Sequence, residues 1–451
     1  MKKNKYEIDM CNGSIMDKLI SFALPLMLSG ILQLMFNAVD LVVVGHFSGQ
    51  EALAAVGSTT ALIAVFTNLF IGISLGANVL AARFYAAGRE KEMSETVHTS
   101  IMLALISGAA MAIVGVIFAK GALQLMDTPD NVIDLSTLYM RIYFMGMPFF
   151  MLYNYGAAIL RAVGDTKRPL VFLIISGVTN AILNMILVIV FQLGVAGVAI
   201  GTVMSQLMSC VLVLRCLCKT ESSYQLHFDK LTIKGDYVKL IFQVGIPAGI
   251  QSTVINFSNV LLQSSVNSFG ATAMAGYTAA NNLLGFLYVS VNAVTQACMS
   301  FTSQNYGVGK YKRMDRVLLD CLGLTVVVAG VLGGGVYLFG PQILRIYTSE
   351  ADVISCGMEI LSITTIPYFL CGIMDLFPGS LRGMGYSAVP MVLSVIGTVG
   401  TRILWIYGFF PYNRTLFFLF ISYPGSWLIT IVMQVICYLY VRKRCVGVQK
   451  V

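Results

Sequence analysis

ALPLMLSGILQLMFNAVDLVVVG, residues 23–45, carries a single ionisable side chain, Asp40, in an otherwise apolar run. A helix needs about 20 such residues to cross the hydrocarbon of a bilayer, so the stretch reads as a membrane span over roughly 19–44. The same criterion gives eleven more spans, at roughly 53–80, 97–119, 135–158, 169–191, 195–217, 238–267, 273–300, 317–339, 355–378, 388–411 and 416–441. Several exceed 20 residues and must tilt, bend or extend past the bilayer. Composition agrees, with 57% hydrophobic and 11% charged residues, where a soluble domain carries about 25% charge. The fold class is therefore all-α integral membrane, with twelve transmembrane helices. No polar connection is long enough to fold as a separate domain.

Lys and Arg set the orientation, because they accumulate on the cytoplasmic side. With the N-terminus inside, 24 of the 29 basic residues fall there, including Lys2, Lys3, Lys5 and Lys450. Lys120, Arg141, Arg345 and Arg414 fall outside, and Arg402 within a span. The net charge of +8 is thus mostly topology and gives no reason to expect nucleic-acid binding. MKKNKYEIDMCNGSIMDK (1–18) lacks the apolar core and small-residue cleavage site of a signal peptide. The ten cysteines are scattered, and Cys216 and Cys218 have the wrong spacing for zinc. His46, His98 and His227 are isolated from one another in the chain.

The two halves repeat at an offset of 221. LRAVGDTKRP (160–169) matches LRGMGYSAVP (381–390), and RFYAAGREKEM (83–93) matches QNYGVGKYKRM (304–314). Gly49, Ala52 and Ala54 match Gly270, Ala273 and Ala275; after one gap, Pro25 aligns with Pro247 and Asn37 with Asn259. Six spans per repeat bring both halves into the membrane the same way, as two parallel lobes about an axis along the membrane normal. The expected organisation is a cytoplasmic N-terminal segment (1–18), an N-lobe (19–218), a cytoplasmic linker (219–237), a C-lobe (238–441) and a cytoplasmic tail (442–451). Duplication around a cleft suits alternating access and is superfluous in a receptor or anchored enzyme.

In residues 23–57, RFYAAG (83–88) and the paired LRG-type blocks, the chain resembles the MATE (multidrug and toxic compound extrusion) family over about 15–440. The resemblance implies twelve helices in two six-helix lobes. It also implies export of lipophilic, often cationic, compounds in exchange for protons or sodium ions.

Asp40 is the first candidate for that exchange, since burial in hydrocarbon penalises a charged carboxylate and makes it a proton site. A structural carboxylate capped by neighbours is the alternative. Gln33 and Asn37 share its helical face. Asn180 and Asn184 stand one turn apart on the fifth span, Thr202 and Gln206 on the sixth. The family pattern joins such positions to the first-helix Asp as the coupling-ion site, though interhelical hydrogen bonding would also account for them. Many relatives carry a second Asp where this chain has Asn184, which weakens a sodium site and favours protons.

Asp375, matching Asn154 at the offset, is the second intramembrane acid. It reads either as a substrate counter-ion or as a partner of Arg402. The seventh span offers Gln251, Asn256, Asn259 and Gln263 but no acid. Gln33, Asn37, Asn154, Gln206, Asn256, Asn259 and Asp375 are the candidates for lining the cleft. Pro25 and Pro247 lie inside spans and kink them, as hinges or as fixed bends. Arg161 and Arg382 read as interfacial anchors.

HExxH and GxxxxGK[ST] are missing from the chain. The reading is therefore a transporter driven by an ion gradient, not an enzyme, with no cofactor beyond the coupling ion and no metal unless sodium binds at Asp40. Its partners are membrane lipid and small cationic amphipathic molecules. It is read as a monomer in a bacterial plasma membrane, with both termini cytoplasmic. The alternative is a flippase or exporter of lipid-linked or metabolite cargo. Anionic lipid phosphates would call for several intramembrane Arg or Lys, and only Arg402 qualifies.

Overall fold

The structure, a computed structural model, describes residues 6–126 and 128–447. Lys2, Lys3, Lys5 and Lys450 lie outside them. The described residues contain helices and connections, without strands. In order they are α1 Met16–Phe47, α2 Gly49–Ala86, α3 Glu90–Leu125, α4 Asp130–Met145, α5 Met147–Ala162, α6 Lys167–Met185, α7 Gly194–Lys219, α8 Gly235–Asn267 and α9 Ala271–Gly307. Then come α10 Tyr311–Leu338, the short α11 Gly340–Leu344, α12 Ala351–Thr365, α13 Tyr368–Gly383, α14 Ala388–Ser394, α15 Thr401–Leu404, α16 Leu416–Phe420 and α17 Ser422–Gly447. Wider π-helical turns extend α6 (Ile186–Val190) and flank α15 (Val395–Gly400 and Trp405–Phe409).

Among the described residues, ten helical stretches are long and apolar enough to cross a membrane, and an eleventh is counted if α12 and α13, bent by 47°, make one span. The span expected at 135–158 is also broken. It consists of α4 and α5, 16 residues each, meeting at Gly146. At 1.5 Å per residue each reaches only about 24 Å, short of a ~30 Å hydrocarbon core. Pro367 explains the second break, since proline disfavours helix in the residue before it. At the first break, a Cβ on Gly146 would lie 2.7 Å from Val203 and 2.8 Å from Gln206, so only glycine lets α7 pack there.

The 221-residue repeat is geometric as well as sequential. α5 and α13 span matching residues, and three glycine pairs end or start matching helices with matching positive φ: Gly49/Gly270 (87° and 92°), Gly88/Gly309 (66° and 71°) and Gly164/Gly385 (95° and 92°). A Cβ would strain each of these turns.

The chain forms two compact units whose limits differ from the expected lobes. One comprises Leu28–Gly249 with the N-terminal residues to Asp9, the other Met10–Met27 with the chain from Ile250. The first twelve residues of α1 thus belong with the second repeat, and α8 up to Gly249 belongs with the first. The packing explains both exchanges. α2 carries Gly72 and Gly76, α8 carries Gly245 and Gly249, and a Cβ on any of the four would strike the other helix's backbone. Paired GxxxG motifs allow this approach. In the second unit, Phe22 of α1 meets Phe301 of α9 edge-on, with ring centroids 5.7 Å apart. Each helix changes unit within three residues of its proline, Pro25 or Pro247.

One expectation drawn from the chain changes here. His98 and His227 are neighbours, with rings stacked at 6.3 Å and the His227 backbone N–H donating to His98 Nε2 at 3.1 Å. The loop from α7 to α8 folds back onto α3, which spacing in the chain does not show.

Candidate functional site

Asp40 lies in the last third of α1, half-buried in the first unit. Three helices supply what surrounds it. From α6, Asn184 is fully buried and its Nδ2 donates to Asp40 Oδ1 at 2.5 Å. The same nitrogen lies 3.4 Å from Asn180 Oδ1, one turn earlier. Asn180 Nδ2 in turn donates to Thr202 Oγ1 of α7 at 3.4 Å. The Thr202 hydroxyl itself donates to the Val198 carbonyl of its own helix at 3.0 Å. From α4, Tyr139 and Tyr143, with rings stacked at 6.1 Å, are close enough to feel the Asp40 charge.

The i, i+4 spacings put Asn180 with Asn184, and Thr202 with Gln206, on single helical faces. Gly201 lets those faces meet, because a Cβ there would fall on Asn184 Oδ1. Two buried acceptors are left without a partner, Asn184 Oδ1 and Gln206 Oε1. Such orphans are uncommon, and Asn184 Oδ1 belongs to the very amide that bonds the Asp40 carboxyl. The site can therefore hold a proton or a small cation on oxygen atoms alone.

The structure thus brings together Asp40, Asn180, Asn184 and Thr202, with Gln206 one turn along α7 from Thr202. Gln33 and Asn37 stand exposed on α1, with no hydrogen bond among the described residues to tie them to the cage. Asn154 turns its amide back to the Phe150 carbonyl at 2.8 Å. In the second unit Asn256 is exposed and Asn259 accepts from Arg402 Nη1 at 3.0 Å. Asp375 makes no ion pair with Arg402 among the described residues; the cation acting on it is Arg382, seven residues along α13. Arg382 also donates through Nη2 to Gln251 Oε1 at 2.6 Å, so it ties helices together besides marking an interface. Tyr139, Tyr143 and Gly201 escaped the sequence reading. The glycine faces an intramembrane amide one helix away, a relation that only the packing reveals.

The MatE family model matches twice, over residues 25–186 and 247–407, once per repeat. The chain is 29% identical over 433 residues to the "Probable multidrug resistance protein YoeA" of Bacillus subtilis, covering 94% of this chain and 93% of that protein. It is 21% identical to the "Multidrug export protein MepA" of Staphylococcus aureus, covering 86% of each. Among solved structures, an outward-facing multidrug resistance MATE family transporter of the MOP superfamily superposes with a TM-score of 0.89 at 20% identity over 100% of both chains. Another, a Pyrococcus furiosus MOP superfamily transporter described as having a binding pocket of reversed polarity, gives the same score. The chain belongs to the MatE family of multi-pass membrane transporters and is a transporter, not an enzyme.

Proposed function

We propose that the protein exports lipophilic, mainly cationic drugs and xenobiotics across a bacterial plasma membrane in exchange for protons, with Asp40 as the coupling group. The observation that carries this is the cage itself: one carboxyl, two asparagines and a threonine bonded in sequence inside the first unit. Protons are favoured over sodium by the donor chemistry. A sodium ion out of water wants several oxygen ligands with more than one negative charge among them, and Asp40 is the cage's only acid. A protonated Asp40 can donate to a neighbouring acceptor, and Asn184 Oδ1 is a buried acceptor lacking a donor. No other cofactor is required.

The export reading draws on the multidrug names of the relatives. Alternating access fits a repeat whose first and eighth helices change unit beside a proline, so we take Pro25 and Pro247 as hinges. The Lys and Arg distribution supports placing both termini in the cytoplasm. The chain is taken to act as a monomer in lipid. A flippase of anionic lipids is disfavoured, because Arg402 is the one basic residue lying deep within a span.

The test is transport in everted membrane vesicles, with pH and sodium gradients imposed separately and a panel of cationic dyes. Dye accumulation driven by the pH gradient, absent when Asp40 is Asn, is expected. Accumulation driven by sodium at equal pH would overturn proton coupling.

A further inference from the structure

We infer that the second unit holds an anion site built around Arg402, fitted to the carboxylate of a small organic molecule. Arg402 is 3% exposed, yet only neutral groups contact it. Nε donates to Ser426 Oγ at 3.4 Å, Nη1 donates to Asn259 Oδ1 at 3.0 Å, and the guanidinium lies 4.0 Å from the centroid of the Tyr423 ring. No carboxylate pairs with it among the described residues. Asp375, the acid in the neighbouring α13, answers to Arg382 instead. A guanidinium this far from water normally finds an anion. A ligand anion supplies the missing charge.

The repeat gives independent support. At the 221 offset, Thr202 corresponds to Tyr423 and Asn180 to Thr401, the residue before Arg402; with the gap, Asn37 of α1 corresponds to Asn259 of α8. The Arg402 cluster therefore lies on the helices that correspond to those of the Asp40 cage, with Thr202 and Tyr423 as the matched pair and with the charge reversed. The backbone is specialised for it. Arg402 sits on the single α-turn Thr401–Leu404 between two π-helical stretches, whereas the counterpart of the first stretch, residues 174–179, is regular α-helix. Such π insertions re-aim side chains and are frequent at functional sites.

The donor set selects the ligand. Arg402 Nη2 and Asn259 Nδ2 donate to no acceptor among the described residues, and Asn259 is only half-buried. A planar guanidinium with a neighbouring amide suits the two oxygens of a carboxylate better than a spherical halide. Trp427 and Phe420 extend the aromatic surface beside Tyr423, at centroid distances of 5.7 and 5.9 Å, for the apolar part of the ligand.

Of the chain's two tryptophans, Trp427 packs on Tyr423 and Trp405 follows Arg402 by three residues, so intrinsic fluorescence reports on the cluster. The full-length protein in lipid nanodiscs is titrated with sodium pentanoate, with pentanamide, and with sodium chloride at equal ionic strength. A saturable fluorescence change with pentanoate alone is expected. It should weaken at least tenfold in Arg402→Gln and several-fold in Arg402→Lys, which keeps the charge but loses the fork, and persist in Asp40→Asn. The Lys variant serves if the Gln variant does not fold. No saturable change, an equal response to pentanamide or chloride, or an undiminished response in Arg402→Lys would each overturn the carboxylate site. Because the readout needs no transport, its failure is distinct from failure of proton coupling at Asp40.

Discussion

Gly201→Ala tests whether the geometry of the Asp40 cage, and not only its composition, sets coupling. The added Cβ would fall on Asn184 Oδ1, so the Asn184 amide has to move. In moving it gives up its 2.5 Å bond to Asp40 and its 3.4 Å contact with Asn180. A hydrogen bond to a charged group contributes about 1.5–3 kcal/mol, which is roughly a 10- to 150-fold change in an equilibrium constant. The helix itself should tolerate the change, because alanine is a better helix former than glycine. Exchange in everted vesicles at matched expression should therefore need a pH gradient at least one unit steeper than wild type for the same dye accumulation. Gly330→Ala, with nothing within 4 Å of the new Cβ, is the control and should behave as wild type. A Gly201→Ala protein with unchanged pH dependence would refute the reasoning, since the cage would then not depend on where Asn184 sits.

Three further outcomes follow from the same structure. Asn180→Ala and Thr202→Ala should each weaken coupling several-fold, for about 1 kcal/mol of neutral hydrogen bonding, while Thr179→Ala, an exposed residue on α6 bonded only to its own helix at Ile175, should not; equal small effects on dye efflux at all three would make the cage ordinary helix packing. Gly76→Leu drives a side chain into the Ile241 backbone of α8, so thermal unfolding in detergent should show a loss of about 1–3 kcal/mol or more, against none for Gly330→Leu. With Asp40 as the sole coupling carboxyl, one proton enters per monocation exported, so a potassium–valinomycin potential at equal pH should drive little dye transport, whereas each unit of pH gradient is worth about 1.4 kcal/mol, or tenfold accumulation; strong voltage-driven uptake lost in Asp375→Asn would assign a second ion to Asp375.

Most of the architecture is legible in the chain because lipid imposes it. Apolar runs of about 20 residues locate the spans, and glycines held at positive φ make the 221-residue repeat visible. The Asp40 cage is partly legible for a similar reason. An acid in hydrocarbon stands out, and i, i+4 amides on one face stand out beside it. Sequence does not say which helix meets which. GISLG (72–76) and GIPAG (245–249) are plain in the chain, but only their contact shows that α8 crosses to the first unit before Gly249. The stripe of Gln33, Asn37 and Asp40 shares a face, yet Asp40 alone is bonded into the cage, because one heptad on a long helix traverses two environments. From charge alone Asp375 reads either as a substrate counter-ion or as a partner of Arg402. In the structure the cation acting on Asp375 is Arg382, on the same face of α13. The tyrosines Tyr139 and Tyr143 give no signal among the chain's 21, since an aromatic near a charge and an aromatic in a core read alike.

The central claim is that Asp40 exchanges a proton for substrate, and the most direct measurement is proton release on substrate binding. Purified protein in weakly buffered detergent solution, at a pH where the cage is protonated, is titrated with a monocationic dye while a pH indicator records the bulk. Wild type should release close to one proton per dye bound. Asp40→Asn should still bind dye and release none. Undiminished proton release from Asp40→Asn would contradict the claim and move the coupling carboxyl elsewhere in the chain.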